Sequence, residues 1–369
     1  MNPSSIRTTR SDARPPVRGR RTRPTVRLLL TCIGRRVELL RAFRTAAERL
    51  GIRLEVHGAD ASSYSPGLHL VDRAHLVPSI SSGGYVDAVE GLVRREGIDL
   101  LVPLIDSELL PLSEARERLA ELGCTVVISS RQVVHACRDK LETFRILQGR
   151  GIDTPRTWAW ADVVHRKKHR FPYYLKPRAG SAALGNYVVH NLDELTTFGK
   201  TVEAPIVQEY VQGEEYTLDV YTGLDGVARC IVPRKRLEVR GGEVSKGVTV
   251  KNRKIMAVGR RVVEALGECR GVITVQCMLT PARRIRVIEV NPRFGGGAPL
   301  AIRAGADFPG WILEEYLGRR PLIRIDGFQA NVAMLRFDDS VFVEKSSNIR
   351  FAPKSTLAGG PGSSKGRRR

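Results

Sequence analysis

The sharpest chemical signal in the sequence is Val287-Ile288-Glu289-Val290-Asn291-Pro292-Arg293-Phe294-Gly295. In a strand, alternate side chains share a face, so Glu289 and Asn291 project together, with Arg293 just past the strand end. A preceding strand, Val275-Gln276-Cys277-Met278, can set Gln276 beside them. A carboxylate with amide oxygens suits Mg²⁺, which takes few protein ligands and completes its shell with water and phosphate oxygens. Arg293 then has the geometry to meet a transferring phosphoryl group. A solvated edge strand is the competing explanation. It does not account for Glu-x-Asn-Pro-Arg running straight into Gly295-Gly296-Gly297.

Two glycine-bearing stretches are weaker signals. In Lys176-Pro-Arg-Ala-Gly180-Ser181-Ala-Ala-Leu-Gly185-Asn186 the glycines have P-loop spacing, but Asn186 stands where a P-loop requires lysine. The stretch reads as a hairpin tip after a lysine-bearing strand, able to close backbone N–H groups over phosphates, or as a plain flexible hairpin. Near the start, Leu28–Arg36 could be a dinucleotide turn with Asp60 on a ribose. Only Gly34 of the three fingerprint glycines is present, so a tight strand-to-helix turn is the better reading.

These residues need a scaffold, and the chain can supply one. Its 369 residues suggest two or three packed units, and the hydrophobic fraction of 42% suits a soluble protein. No apolar run reaches the ~20 residues that span a bilayer, and the Arg/Pro-rich opening has no signal-peptide core. Six cysteines without a C-x-x-C pair or a Cys/His cluster point to a reduced cytosolic protein without structural zinc. The net charge of +21 is uneven. Residues 1–25 hold seven arginines against one aspartate, and residues 340–369 hold seven Lys/Arg against one glutamate, so the body carries +9. With aromatics at 6% and no basic–aromatic interleaving, nucleic acid is expected to be contacted only weakly, through the tails. Neither tail has an apolar face to bury. Deleting residues 1–24 and 356–369 should therefore leave folding intact; a melting point lowered by more than about 5 °C would contradict this.

Short strands alternating with helices open the body. Strands are expected at Val26–Thr31, Leu54–His57, Asp99–Leu104 and Thr125–Ile128, with helices at Val37–Leu50, Tyr85–Glu96 and Leu109–Leu122 between them. The texture changes near Arg138. A helix over Asp139–Gln148 leads to strands at Tyr173–Lys176, Asn186–Val189, Ile206–Tyr210, Tyr216–Tyr221 and Ala228–Val232, which read as antiparallel, with a helix at Asp193–Lys200. A helix over Arg253–Leu266, strands at Val272–Leu279 and Ile285–Val290, a helix at Phe308–Leu317 and a strand at Ala330–Phe337 complete the body. The expected organisation is a disordered basic tail (1–25), an α/β domain (26–130), a second domain (131–337) with a lid lobe at about 155–210, and a C-terminal extension (338–369), basic and disordered at its end.

Residues 138–317 resemble the ATP-grasp fold. The V-Q-x(n)-V-I-E-V-N-P-R pattern is most similar to the synthetase component of the carbamoyl-phosphate synthase large subunit and its stand-alone relatives. Residues 26–130 resemble the accompanying pre-ATP-grasp domain. The fold class implied is α/β and α+β: a Rossmann-like parallel sheet, then a two-lobed domain with mainly antiparallel sheets. The resemblance implies ATP and Mg²⁺, with Mn²⁺ as an alternative ion. It implies that Lys140 and Lys176 reach the nucleotide phosphates, that the loop containing Gly180, Ser181 and Gly185 covers them, and that Gln208, Glu209, Tyr210 and Val211 form the adenine hinge. Glu215 would hold the ribose, Gln276, Glu289 and Asn291 the magnesium, and Arg293 the transferred phosphate. Gly241, Gly242, Glu243 and Lys246 fall where further phosphate or substrate contacts lie.

The activity implied is an ADP-forming carboxylate–amine ligation through an acyl phosphate, with Lys140, Lys176 and Arg293 catalytic. The sequence shows one ATP-grasp unit and no glutaminase, so full carbamoyl phosphate synthesis is not expected. Small carboxylates and amines are the expected partners; no membrane is, and a homodimer is left open. The rival readings are an NAD-dependent oxidoreductase using Gly34 and Asp60, and a non-catalytic nucleotide- or nucleic-acid-binding protein. Asp106-Ser107-Glu108 reads as a helix cap, with a second reading in which it faces the acceptor.

Overall fold

The computed structural model describes residues 23–180 and 184–343. Of the expectations above, most of both tails and Ser181 lie outside these residues. The first sheet is parallel, in the order β3-β2-β1-β4-β5. Its strands are β1 (Thr25–Thr31), β2 (Arg53–Asp60), β3 (Arg73–Leu76), β4 (Leu100–Pro103) and β5 (Thr125–Val126). The run Leu28-Leu29-Leu30 of β1 is fully buried, as a central parallel strand covered on both faces must be. The helix Val37–Leu50 packs Leu40 and Phe43 inward and ends on Gly51 in the left-handed conformation, φ 67°.

The second, four-stranded sheet is antiparallel, in the order β6-β9-β7-β8. It comprises β6 (Thr157–Ala159), β7 (Tyr173–Pro177), β8 (Tyr187–Val189) and β9 (Pro205–Glu209). It has its own small core of Val163, Tyr173, Leu175, Val189, Leu195, Val202 and Val207. The third sheet is also antiparallel, in the order β14-β13-β10-β11-β12-β15. It comprises β10 (Glu214–Tyr221), β11 (Cys230–Arg240), β12 (Glu243–Thr249), β13 (Val272–Leu279), β14 (Ile285–Asn291) and β15 (Ala333–Leu335). The mixed α/β class with one parallel and two antiparallel sheets is the one expected.

One hydrophobic core joins the parallel layer to the large antiparallel sheet: Leu28, Leu30 and Phe43 belong to the same cluster as Leu218, Ile231 and Phe308. Phe43 meets Phe294 edge-on at 6.3 Å. This shared core fixes the first α/β unit against the Glu289 strand, so groups from both line one site.

Several elements differ from the expected ones. Leu109–Leu122 is two helices, Asp106–Glu114 and Arg116–Glu121, and Pro111 lies inside the first. Strand β11 runs eight residues beyond Val232, and β12 was not expected at all. Both carry charged residues that mask apolar alternation.

Candidate active site

The register of the large sheet arranges the site in rows. Thr217 on β10 pairs with Arg234 on β11 and with Gln276 on β13, and Gln276 pairs with Glu289 on β14. This is the middle row. Two residues along, Asp219 pairs with Thr274, which pairs with Asn291. On the other side, Glu215 pairs with Met278, which pairs with Arg286. Arg286 hydrogen-bonds Glu209 of the small sheet at 2.9 Å, so the Gln208–Val211 segment meets this last row. Rows two residues apart are separated by about 7 Å, at ~3.3 Å per strand residue.

A cavity of about 680 Å³ lies over these rows. It is lined by Lys176, Gln208, Glu209, Tyr210, Val211, Glu215, Gly242, Glu243, Gln276, Glu289, Asn291 and Arg293, all singled out from the sequence. Lys140 and Gly180 border an adjoining hollow of about 110 Å³ that shares Glu289 and Asn291 with the main cavity's wall. The Lys140 ammonium donates to the Gly180 carbonyl at 2.8 Å and lies 3.9 Å from Glu289 Oε1. Among the rest, Gly185 sits in a turn with φ 72° and does not line either space. Gly241 is at the β11–β12 turn, and Lys246 pairs with Glu238 at 2.7 Å, so neither joins the cavity wall.

Lys176 is 4% exposed, and its ammonium donates to Gln208 Oε1 at 3.1 Å. Gln208 in turn donates to Thr157 Oγ1 at 2.9 Å. Burial lowers the Lys176 pKa to about 8; Glu289 works against this shift and Lys140 adds to it. Glu215 is raised above the ordinary carboxylate range by burial, against the pull of Arg236 at 2.6 Å.

The Gln276 amide nitrogen donates to Glu289 Oε2 (3.1 Å) and its oxygen accepts from Arg236 Nη1 (2.7 Å), which holds the amide beside the Glu289 carboxylate. With Asn291 in the adjacent row, the donor set fits a hard divalent cation such as Mg²⁺. Among the described residues no group of three or more His, Cys, Asp and Glu is placed to hold a metal.

The structure adds residues that the sequence reading did not assign. Arg234 and Arg236 of β11, Thr217, Thr274 and Arg36 line the cavity. Their signals were an R-x-R alternation in β11 and the second arginine after Gly34. Asp106 also lines it, bonded to Arg293 Nη2 at 2.5 Å. Reading Asp106-Ser107-Glu108 as a cap is therefore right for one residue only. Glu108 accepts from the Leu104 and Ile105 amides, at 2.7 and 3.0 Å, whereas Asp106 faces the cavity. The Gly34–Asp60 pair closes its own turn: Asp60 Oδ2 accepts from the Gly34 amide at 2.9 Å, and Oδ1 from Ser62 at 3.0 Å. That is the tight-turn reading, not a ribose site.

Comparison with known proteins agrees with this architecture. Residues 28–127 match the PylC-like, N-terminal domain, and residues 137–297 match the ATP-grasp domain. A D-alanine--D-alanine ligase of Bacillus anthracis is 29% identical over 99 residues, 24% of this chain and 32% of the relative. A 3-methyl-D-ornithine--L-lysine ligase of Methanosarcina acetivorans is 24% identical over 212 residues, 56% of this chain and 53% of the relative. The match thus spans about a third to a half of the length of these relatives. Among solved structures, an L-amino acid ligase from Bacillus licheniformis superposes with a TM-score of 0.64 at 22% identity, covering 82% of this chain and 76% of that one, which is a likeness of fold. The chain belongs to the ATP-grasp family, with its ATP-grasp domain set behind a PylC-like N-terminal domain.

Proposed function

We propose that the chain is an ATP-dependent carboxylate–amine ligase that forms ADP and phosphate. The observation that carries this reading is the convergence of Glu289, Asn291, Gln276, Lys176 and Arg293 on one cavity that also holds the Gln208–Val211 segment. The names of two relatives describe the joining of two amino acids, which supports the same class.

In this account the nucleotide lies with its base near Gln208–Val211 and its phosphates over the middle row. A carboxylate oxygen of the first substrate attacks the γ-phosphorus, and the bond from that phosphorus to the β–γ bridging oxygen breaks. ADP leaves and an acyl phosphate remains. Lys176, Lys140 and Arg293 balance the charge on the transferred group. Mg²⁺ held by Glu289, Asn291 and Gln276 would supply neutralisation of phosphate-oxygen charge. The amine of the second substrate then attacks the acyl carbon, its C–O bond to phosphate breaks, and the amine's surplus proton passes to solvent. Positioning and electrostatics suffice, and no nucleophilic Ser or Cys of the protein takes part. The test is a screen of carboxylate–amine pairs for ATP-dependent release of ADP and phosphate. Release that depends on one pair supports the reading; ATP turnover with AMP as the product overturns it.

The buried lysine gives a pH signature. With a pKa of about 8, Lys176 is mostly charged at pH 7 and mostly neutral at pH 9. If the charged form holds the polyphosphate, affinity for ATP falls about tenfold between these pH values, the ratio of charged fractions. Isothermal titration at both pH values measures it. An affinity unchanged from pH 7 to 9 would remove the Lys176 charge from nucleotide binding.

A further inference from the structure

Arg293 stands just past the end of β14, where the strand no longer fixes it, and its long side chain carries five N–H donors. Its Nη1 donates to the Phe294 carbonyl at 3.0 Å, and its Nε is buried without a partner among the described residues. Its ion pair, among the described residues, is with Asp106, which accepts from Nη2 at 2.5 Å. The two side chains are 13% and 22% exposed, so solvent screens this pair less than a surface one. A charge-assisted bond of this kind is both short and directional.

Asp106 is itself firmly held. It opens the helix Asp106–Glu114, directly after β4, and β4 lies beside β1 in the parallel sheet. The positive end of the helix dipole favours a carboxylate at this position. Two residues on, the fully buried Glu108 accepts from the Leu104 and Ile105 amides and from the Tyr85 hydroxyl, the last at 2.5 Å. These three bonds lock the turn that presents Asp106. The carboxylate borders both the main cavity and the adjoining hollow, the two spaces that share Glu289 and Asn291.

We propose that Asp106 is a positioning residue for phosphate transfer: its carboxylate holds the Arg293 guanidinium against the transferred group, so that the α/β unit sets the rate of the first chemical step without touching substrate. This rests on the ligase reading above and deepens it. A group that stabilises a transition state must be held within about 0.5 Å of its productive place, and a 1 Å misplacement costs about 100-fold in rate. Without the Asp106 charge, Arg293 keeps only its bond to the neighbouring carbonyl.

The test reads the first step alone. Hydroxylamine replaces the amine and traps the acyl phosphate of the donor carboxylate identified by the ADP-release screen, and hydroxamate formation is followed. In Asp106→Asn the maximal rate should fall at least about tenfold, with KM for ATP and for the donor within about threefold, because the lost contact matters in the transition state. Turnover with the amine should fall by a similar factor. Asp106→Glu keeps the charge and should recover at least about a third of the wild-type rate. Both variants should melt within about 5 °C of the wild type. A smaller loss in Asp106→Asn would overturn the inference, as would a Glu variant no faster than the Asn one. A KM for the donor or the amine raised about tenfold would make Asp106 a substrate contact instead. Loss of amine turnover with hydroxamate formation intact would assign Asp106 to the amine step. A larger drop in melting point, or failure to fold, would make its role structural. If the wild-type enzyme forms no hydroxamate from any donor, it is the ligase reading that fails, and this inference fails with it.

Discussion

Glu289→Gln is expected to lower turnover at least about 100-fold while leaving the fold intact. The change keeps the shape of the side chain and one oxygen acceptor but removes the only formal charge in the Gln276–Glu289–Asn291 set. A divalent cation held by amide oxygens alone is bound weakly, and it is the largest local charge available to the phosphates. A 100-fold loss corresponds to about 2.7 kcal/mol of transition-state stabilisation, within reach of one metal ligand. The fold should tolerate the change, because Glu289 is a quarter exposed and its contact with Lys140 is long, 3.9 Å. Steady-state ADP release at saturating Mg²⁺, with thermal melting as the control, measures both. Near-normal turnover would place the cation elsewhere.

The second large effect is on stability. Asp219 and Arg234 form an ion pair across β10 and β11, with side chains 0% and 2% exposed. Asp219→Ala leaves a guanidinium buried without its counter-charge, which costs about 3–5 kcal/mol. A denaturant midpoint lowered to that degree, or outright failure to fold, is the expected result. Asp225→Ala is the comparison: it breaks an equally short contact, Arg229–Asp225 at 2.5 Å, but the Asp225 side chain is 55% exposed. Loss of an exposed pair costs about 1 kcal/mol or less. Equal losses in the two variants would mean that burial of the Asp219 pair is not what stabilises this sheet.

What could be read in the sequence follows from how local each signal is. Glu289, Asn291 and Gln276 were legible because strand alternation is a two-residue rule, and the observed pairing sets Gln276 opposite Glu289. The wall of arginines was not. Strand β11 carries Arg234 and Arg236 on the face toward the cavity, where a strand would ordinarily show apolar residues, so its continuation beyond Val232 does not read as a strand. Strand β12 hides in the same way behind Glu243, Ser245 and Gly247. Asp106 and Arg293 lie 187 residues apart, and no local pattern encodes their meeting. It follows from the shared core that sets the parallel sheet against the large antiparallel one. Glu108 and Asp106 look alike in sequence, and only the turn geometry separates the capping carboxylate from the one in the cavity.

The central claim is that a substrate carboxylate attacks the terminal phosphate of ATP. Oxygen-18 placed in the donor carboxylate tests it most directly, with the label followed by mass spectrometry after turnover with the amine. If the acyl phosphate forms, one labelled oxygen leaves in inorganic phosphate and ADP is unlabelled. Label recovered in AMP, with pyrophosphate released, would contradict the account and require attack at the α-phosphate instead.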